Sequence, residues 1–179
     1  MKRQILIILA TLSLAACAEG PAGLGGGPSP VDLTTAPGPT AFDARDFAWS
    51  TATGTGAISG TLTFRRGEAR YTCQGSDVLL TPETAWSRRR MLILYGSANA
   101  AAAPAWVVRA RTPSAGVGDY ARFVRRTTCN AANHFTFQGL PDGAWFVITV
   151  GKPDGASGEA VAVTRRVETH GGVTAANLS

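Results

Sequence analysis

The chain has 179 residues, 45% of them hydrophobic and 16% charged, which suits one globular domain with appendages and excludes two full domains. Its 21 Gly, 10 Pro and abundant Val, Ile, Thr and aromatic residues lean toward an all-β domain of short strands. The formal charge of +5 is not read as a nucleic-acid footprint. The arginines are scattered in separate clusters (Arg65-Arg66, Arg88-Arg89-Arg90, Arg125-Arg126, Arg165-Arg166), an arrangement that keeps a β-protein soluble and blunts its edges.

Met1-Lys2-Arg3 is a basic start, and Ile5 to Leu14 is an apolar run. That run is too short to cross a hydrocarbon core of ~30 Å as a helix. It closes on Leu14-Ala15-Ala16-Cys17, which resembles the lipobox of bacterial lipoprotein signal peptides. The resemblance implies a signal peptide over residues 1–16, cleavage before Cys17, and acylation of the Cys17 thiol and the new amino terminus with three acyl chains. Loss of Lys2 and Arg3 would leave 15 basic residues against 12 acidic, a net +3. At ~0.8 kcal/mol per buried CH₂, two or more chains hold a protein durably on a membrane. Ala18 stands where an inner-membrane retention signal would show Asp, so the expected address is the periplasmic face of a Gram-negative outer membrane. The membrane is then a partner through Cys17.

Residues 17–41 are dominated by Gly and Pro and carry no period of 2 or 3.6. Such a stretch buries too little to offset its ordering entropy and is expected to act as a linker spanning roughly 25–30 Å. The folded domain is expected over residues 42–179, opening at the aromatic stretch from Phe42 to Trp49.

Gly56 to Arg65 alternates, with Ile58, Leu62 and Phe64 on one side and Ser59, Thr61 and Thr63 on the other, and predicts a strand with one wet face. Ser76 to Thr81 predicts a second strand with Val78 and Leu80 inward, ended by Pro82. Glu83 to Tyr95 is read as a short helical or irregular stretch passing into a strand at Met91-Leu92-Ile93-Leu94-Tyr95. Ser97 to Pro104 is expected as a loop, Ala105 to Arg111 as a strand, and Thr112 to Asp119 as a loop. Tyr120 to Cys129 and His134 to Gln138 are expected as strands about a turn at Asn130-Ala131-Ala132-Asn133, with Asn133 left-handed and Phe135 and Phe137 inward. Ala144 to Val150, apolar on both faces, predicts a central strand, and Ala160 to Glu168 with Val173 to Leu178 a closing hairpin. Seven to nine short strands predict a β-sandwich.

Gly56-Ala57-Ile58-Ser59-Gly60, then Asn130-Ala131-Ala132-Asn133-His134-Phe135-Thr136-Phe137, then Leu140-Pro141-Asp142-Gly143-Ala144-Trp145 occur in that order. Together they resemble the carboxypeptidase regulatory-like domain, a prealbumin-like or transthyretin-like β-sandwich. Asn stands in place of the family's Asp and Gly in the second motif, and Trp in place of Tyr in the third. The resemblance implies a non-catalytic accessory that packs against other proteins or glycans. A related group hydrolyses 5-hydroxyisourate with histidines, an arginine and a Tyr-Arg-Gly-Ser terminus. This chain offers only His134 and His170 and reads Ala175-Ala176-Asn177-Leu178-Ser179, so that activity finds no support.

With Cys17 lipidated, Cys73 and Cys129 form an even pair in an oxidising compartment, and a disulfide between them is expected. Two distant histidines do not make a metal site, and Gly75-Ser76-Asp77 is a turn rather than a nucleophile elbow, so no cofactor or metal is expected. Trp106 and Trp145 are read as core, and Trp86 beside Arg88, Arg89 and Arg90 as the exposed binding candidate. The function expected first is a lipid-anchored, non-catalytic envelope module with a protein-interaction or structural role. A glycan- or peptidoglycan-binding module using Trp86 and its arginines is the second reading, and a small periplasmic hydrolase the third.

Overall fold

The computed structural model describes residues 35–112, 118–155 and 157–179. The expected signal peptide 1–16, Cys17 and the linker as far as residue 34 lie outside the described residues, as do residues 113–117 of the expected loop. Ten strands and two α-helices are present among the described residues. In chain order they are β1 (Gly56–Leu62), β2 (Arg65–Arg66), β3 (Ala69–Thr72), β4 (Asp77–Pro82), α1 (Ala85–Tyr95), β5 (Ala100–Pro104), α2 (Ala105–Arg111), β6 (Arg125–Thr128), β7 (His134–Leu140), β8 (Gly143–Pro153), β9 (Val161–Thr169) and β10 (Val173–Leu178). Two 3-10 turns, Ala44–Thr51 and Gly118–Phe123, complete the set. The architecture is the expected all-β sandwich.

The larger sheet is built on β8, which lies between β4 and β9, with β6 beyond β4 and β5 beyond β9. The small β2–β3 hairpin joins the far end of β8, where Tyr71 pairs Pro153 and Thr72 pairs Lys152. The smaller sheet has the order β10-β1-β7. Between the sheets, Ile58, Leu62, Val78, Leu80, Phe135, Leu140, Trp145, Val147, Val161 and Leu178 form one core. Strand alternation alone delivers these residues inward. Strand β8 is apolar on both faces because its other face, with Phe146 and Ile148, is covered by Met91 and Leu94 of α1.

The quoted motifs are spent on this packing. A Cβ on Gly60 would stand 2.1 Å from the Phe135 ring, so the glycine in β1 is the socket for that phenylalanine. At Gly143, φ is +151° and a Cβ would stand 2.4 Å from the Trp49 ring, so only glycine admits both the backbone and the indole. Asn133 takes φ 60° as expected, and its side-chain oxygen accepts from Thr72 Oγ1 at 2.7 Å and the Cys73 amide at 2.9 Å. Cys73 and Cys129 are bridged, with Cα atoms 5.7 Å apart.

Five local expectations are corrected. The whole of Ala85–Tyr95 is helix, including the five-residue apolar run expected as strand. Thr84 caps it by accepting from the Ser87 amide while Ser87 Oγ accepts from the Thr84 amide, and Gly96 at φ 76° ends it. The alanine run expected as a loop is β5, held by pairing from Ala100↔Arg165 to Pro104↔Val161. Ala105–Arg111, expected as a strand, is α2, and the strand expected from Tyr120 begins only at Arg125. The closing hairpin is not one: β9 stays in the large sheet, while β10 crosses to the small sheet and runs parallel to β1. Gly171 and Gly172, at φ 69° and 60°, turn the chain between the sheets.

The linker also ends earlier than expected. Ala36 is buried, and the Thr40 carbonyl accepts from the Trp86 indole at 3.3 Å. No helix among the described residues is long and apolar enough to cross a membrane.

Candidate functional site

Trp86 is not the exposed aromatic. It is 8% exposed, because α1 presents it to a nest of rings from Phe42, Phe47, Tyr120 and Phe123. Its ring lies 4.9 Å from that of Tyr120 and 5.4 Å from that of Phe42. The arginines that follow it diverge around the helix. Arg88 is exposed and paired with Glu83 at 2.6 Å, Arg89 is half-buried, and Arg90 stacks over Trp86 and Tyr120 at 5.6 and 5.9 Å. At 100° per residue three consecutive side chains cannot share a face. Trp86, Arg88, Arg89 and Arg90 therefore do not form one surface.

The exposed indole is Trp106, 62% accessible, which was expected in the core of a strand. Its placement follows from register. Pro104 ends β5 opposite Val161, which starts the paired part of β9, and the Ala105 amide donates to the Ala160 carbonyl at 2.8 Å. Two residues on from Pro104 and two back from Val161, Trp106 and Glu159 meet. The Trp106 Nε1–H donates to Glu159 Oε1 at 2.6 Å, and Arg66 Nη1 donates to Glu159 Oε2 at 3.0 Å. These bonds from Arg66 and Trp106 hold the Glu159 carboxyl below its ordinary value of 4.5. The result is a fixed indole face edged by a charge-neutral carboxylate–guanidinium pair, with acceptor and donor atoms left over. Sequence reading missed the site because it depends on three segments far apart in the chain. Only a helical reading of Ala105–Arg111 would have pointed Trp106 outward.

Beside this site, the β2–β3 register sets Arg65 directly opposite Arg70, and neither makes an ion pair among the described residues. Like charges face to face on a hairpin repel, so the edge of the site favours an anion.

The remaining chemistry-bearing residues were tested in place. His134 Nε2 lies 2.9 Å from Ser59 Oγ on the outer face of the small sheet. The pair has hydroxyl–imidazole spacing, but among the described residues no carboxylate bonds the ring, and neighbouring positions on that face carry Thr61 and Thr136. His170 is exposed and lies 3.4 Å from Glu168. No group of three or more His, Cys, Asp or Glu that could hold a metal occurs among the described residues.

No protein-family model and no curated protein matches the chain. Among solved structures it is similar to a protein from Pseudomonas aeruginosa described as a candidate carbohydrate-binding protein. The match has a TM-score of 0.55 at 21% identity and covers 79% of this chain and 99% of that one. At that identity the likeness is one of fold.

Proposed function

We propose that the protein is a lipid-anchored, non-catalytic module of the bacterial cell envelope that binds glycan, with peptidoglycan the target. The observation that carries the reading is Trp106, an exposed indole held rigid by Glu159 and Arg66. A pyranose ring has an apolar C–H face that an indole can cover and hydroxyls that a carboxylate and a guanidinium can bond. Because the indole is already fixed, little side-chain entropy is lost on binding. The Arg65–Arg70 pair supplies the attraction for an acidic polymer, and the description of the Pseudomonas aeruginosa neighbour points the same way. Of the two non-catalytic readings, a protein-interaction role has no comparable feature behind it. The three motifs shared with carboxypeptidase regulatory-like domains are consistent with an accessory module, since their residues serve packing and turns.

Retention of the chain on isolated sacculi tests the proposal. Trp106→Ala should lower retention at least about tenfold, a loss of ~1.4 kcal/mol, and Glu159→Gln should lower it by less. Wild-type retention no greater than a buffer control would sink the reading. The pH dependence has a defined sign. Glu159 titrates below its ordinary 4.5, so its contribution is complete above that value and is lost as pH falls through the lowered one. Retention should therefore be flat from pH 7 to 5 and fall only in stronger acid.

The anchor rests on Leu14-Ala15-Ala16-Cys17 and is tested separately. A Cys17→Ser chain should move from the membrane to the soluble fraction. If it stays wholly with membranes, acylation is not what holds it.

A further inference from the structure

A second site lies along another face of α2. Ala105, Val108, Arg109 and Thr112 recur at helical spacing and, with the C-terminal half of α1 and the outer face of the large sheet, enclose a cleft of about 310 Å³. Its walls are apolar: Leu79 of β4, Met91 and Leu94 of α1, and Ile148 and Val150 of β8. No Asp or Glu lines it, but two arginines do. Neither Arg90, which lies over the rings of Trp86 and Tyr120, nor Arg109 is paired with a carboxylate among the described residues. A guanidinium without a carboxylate beside an apolar wall is an unusual arrangement for a purely structural groove.

The hydroxyls in the cleft add donors. Tyr120 is bonded to Thr81 at 2.9 Å. Tyr95, whose hydroxyl lies within electrostatic reach of Arg90 and Tyr120, makes no hydrogen bond among the described residues. Burial pushes both phenols above their ordinary range, so both keep their protons at neutral pH.

We propose that this cleft binds a small amphipathic carboxylate, its apolar body against Leu79, Met91 and Ile148 and its charged end at Arg90 and Arg109. The size sets the class. A cleft of about 310 Å³ lies at the small end of the range for small-molecule sites, which suits a short acid. The ligand class is therefore a short-chain acid. The site is independent of the proposed glycan platform, since Trp106 is not among its lining residues.

Octanoate, with ten non-hydrogen atoms, is the probe, and octan-1-ol and octylammonium are its controls. The full chain carrying Cys17→Ser is used, so that no attached acyl chain competes. In calorimetric titration octanoate should bind at least tenfold more tightly than octanol, with octylammonium weakest. Methyl resonances of Met91 and Ile148 should shift on its addition. Arg109→Gln, at an exposed position, should weaken octanoate about tenfold and leave octanol unchanged. Val108→Trp should block both, with an unchanged circular dichroism spectrum showing that the fold survives. Equal binding of octanoate and octylammonium, no effect of Arg109→Gln, or shifts confined to other methyls would each overturn the proposal. Trp106→Ala should still bind octanoate, and Arg109→Gln should still be retained on sacculi, so the two sites fail separately.

Discussion

Trp145→Ala should cost about 5 kcal/mol and lower the melting temperature by ~20 °C, as read by circular dichroism and a denaturant midpoint. Trp145 is fully buried, its ring lies 4.9 Å from that of Trp49, and the Arg125 guanidinium stacks on it at 5.7 Å. Truncation opens a cavity between the sheets that the surroundings fill only in part. It also removes the indole N–H that donates to Thr169 Oγ1 at 3.1 Å. That hydroxyl donates in turn to the Pro141 carbonyl at 2.8 Å, so the corner between β7 and β8 is tied to the end of β9 through it. Trp145→Phe keeps most of the packing and loses only the bond, and should cost about 1–2 kcal/mol. A loss below ~2 kcal/mol for the alanine variant would mean that the corner collapses to fill the hole.

Removing the disulfide should be nearly as damaging. Cys73 and Cys129 are separated by 56 positions, and opening a loop of that length costs about 4 kcal/mol in the chain-entropy account. The loop carries α1 and α2, which wall one side of the cleft, and Trp106 itself. The double variant Cys73→Ala/Cys129→Ala should therefore melt well below the wild type and lose retention on sacculi near its new midpoint. Both cysteines are buried, so reductant should act slowly on the folded protein and reproduce the variant only after opening. Identical melting of the oxidised and reduced chains would show that the bridge contributes nothing to stability.

Legibility divided along physical lines. Strands β1, β4, β7 and β8 could be read because one face is wet, or because both faces are covered, and alternation reports burial directly. Asn133 could be read because few residues accept a positive φ. The stretch between Glu83 and Asp119 could not be resolved by pattern alone. Met91 to Tyr95 is continuously apolar, which fits a buried helix turn as well as a strand, although Thr84 and Gly96 were the cap signals that favour helix. The alanines of β5 are good helix formers, overridden by pairing with β9. Trp86 and Trp106 exchanged places for the same reason: once α1 and α2 are helices, the first indole turns inward and the second outward. The partners of Trp106 are set by strand register, a long-range property that no local window holds.

The parallel pairing of β10 with β1 has a consequence for how the molecule comes into being. The strand that opens the sandwich waits for the strand that closes it: Thr63 bonds to the Leu178 carbonyl across 115 positions. Bringing such ends together carries an entropic cost of about 4 kcal/mol before any contact rewards it, and topologies of this kind fold slowly. Until residues 173–178 have emerged from the ribosome, β1 keeps a bare edge and Ile58 and Leu62 lack one wall of their core. The smaller sheet is therefore completed last. Its last strand acts as the latch.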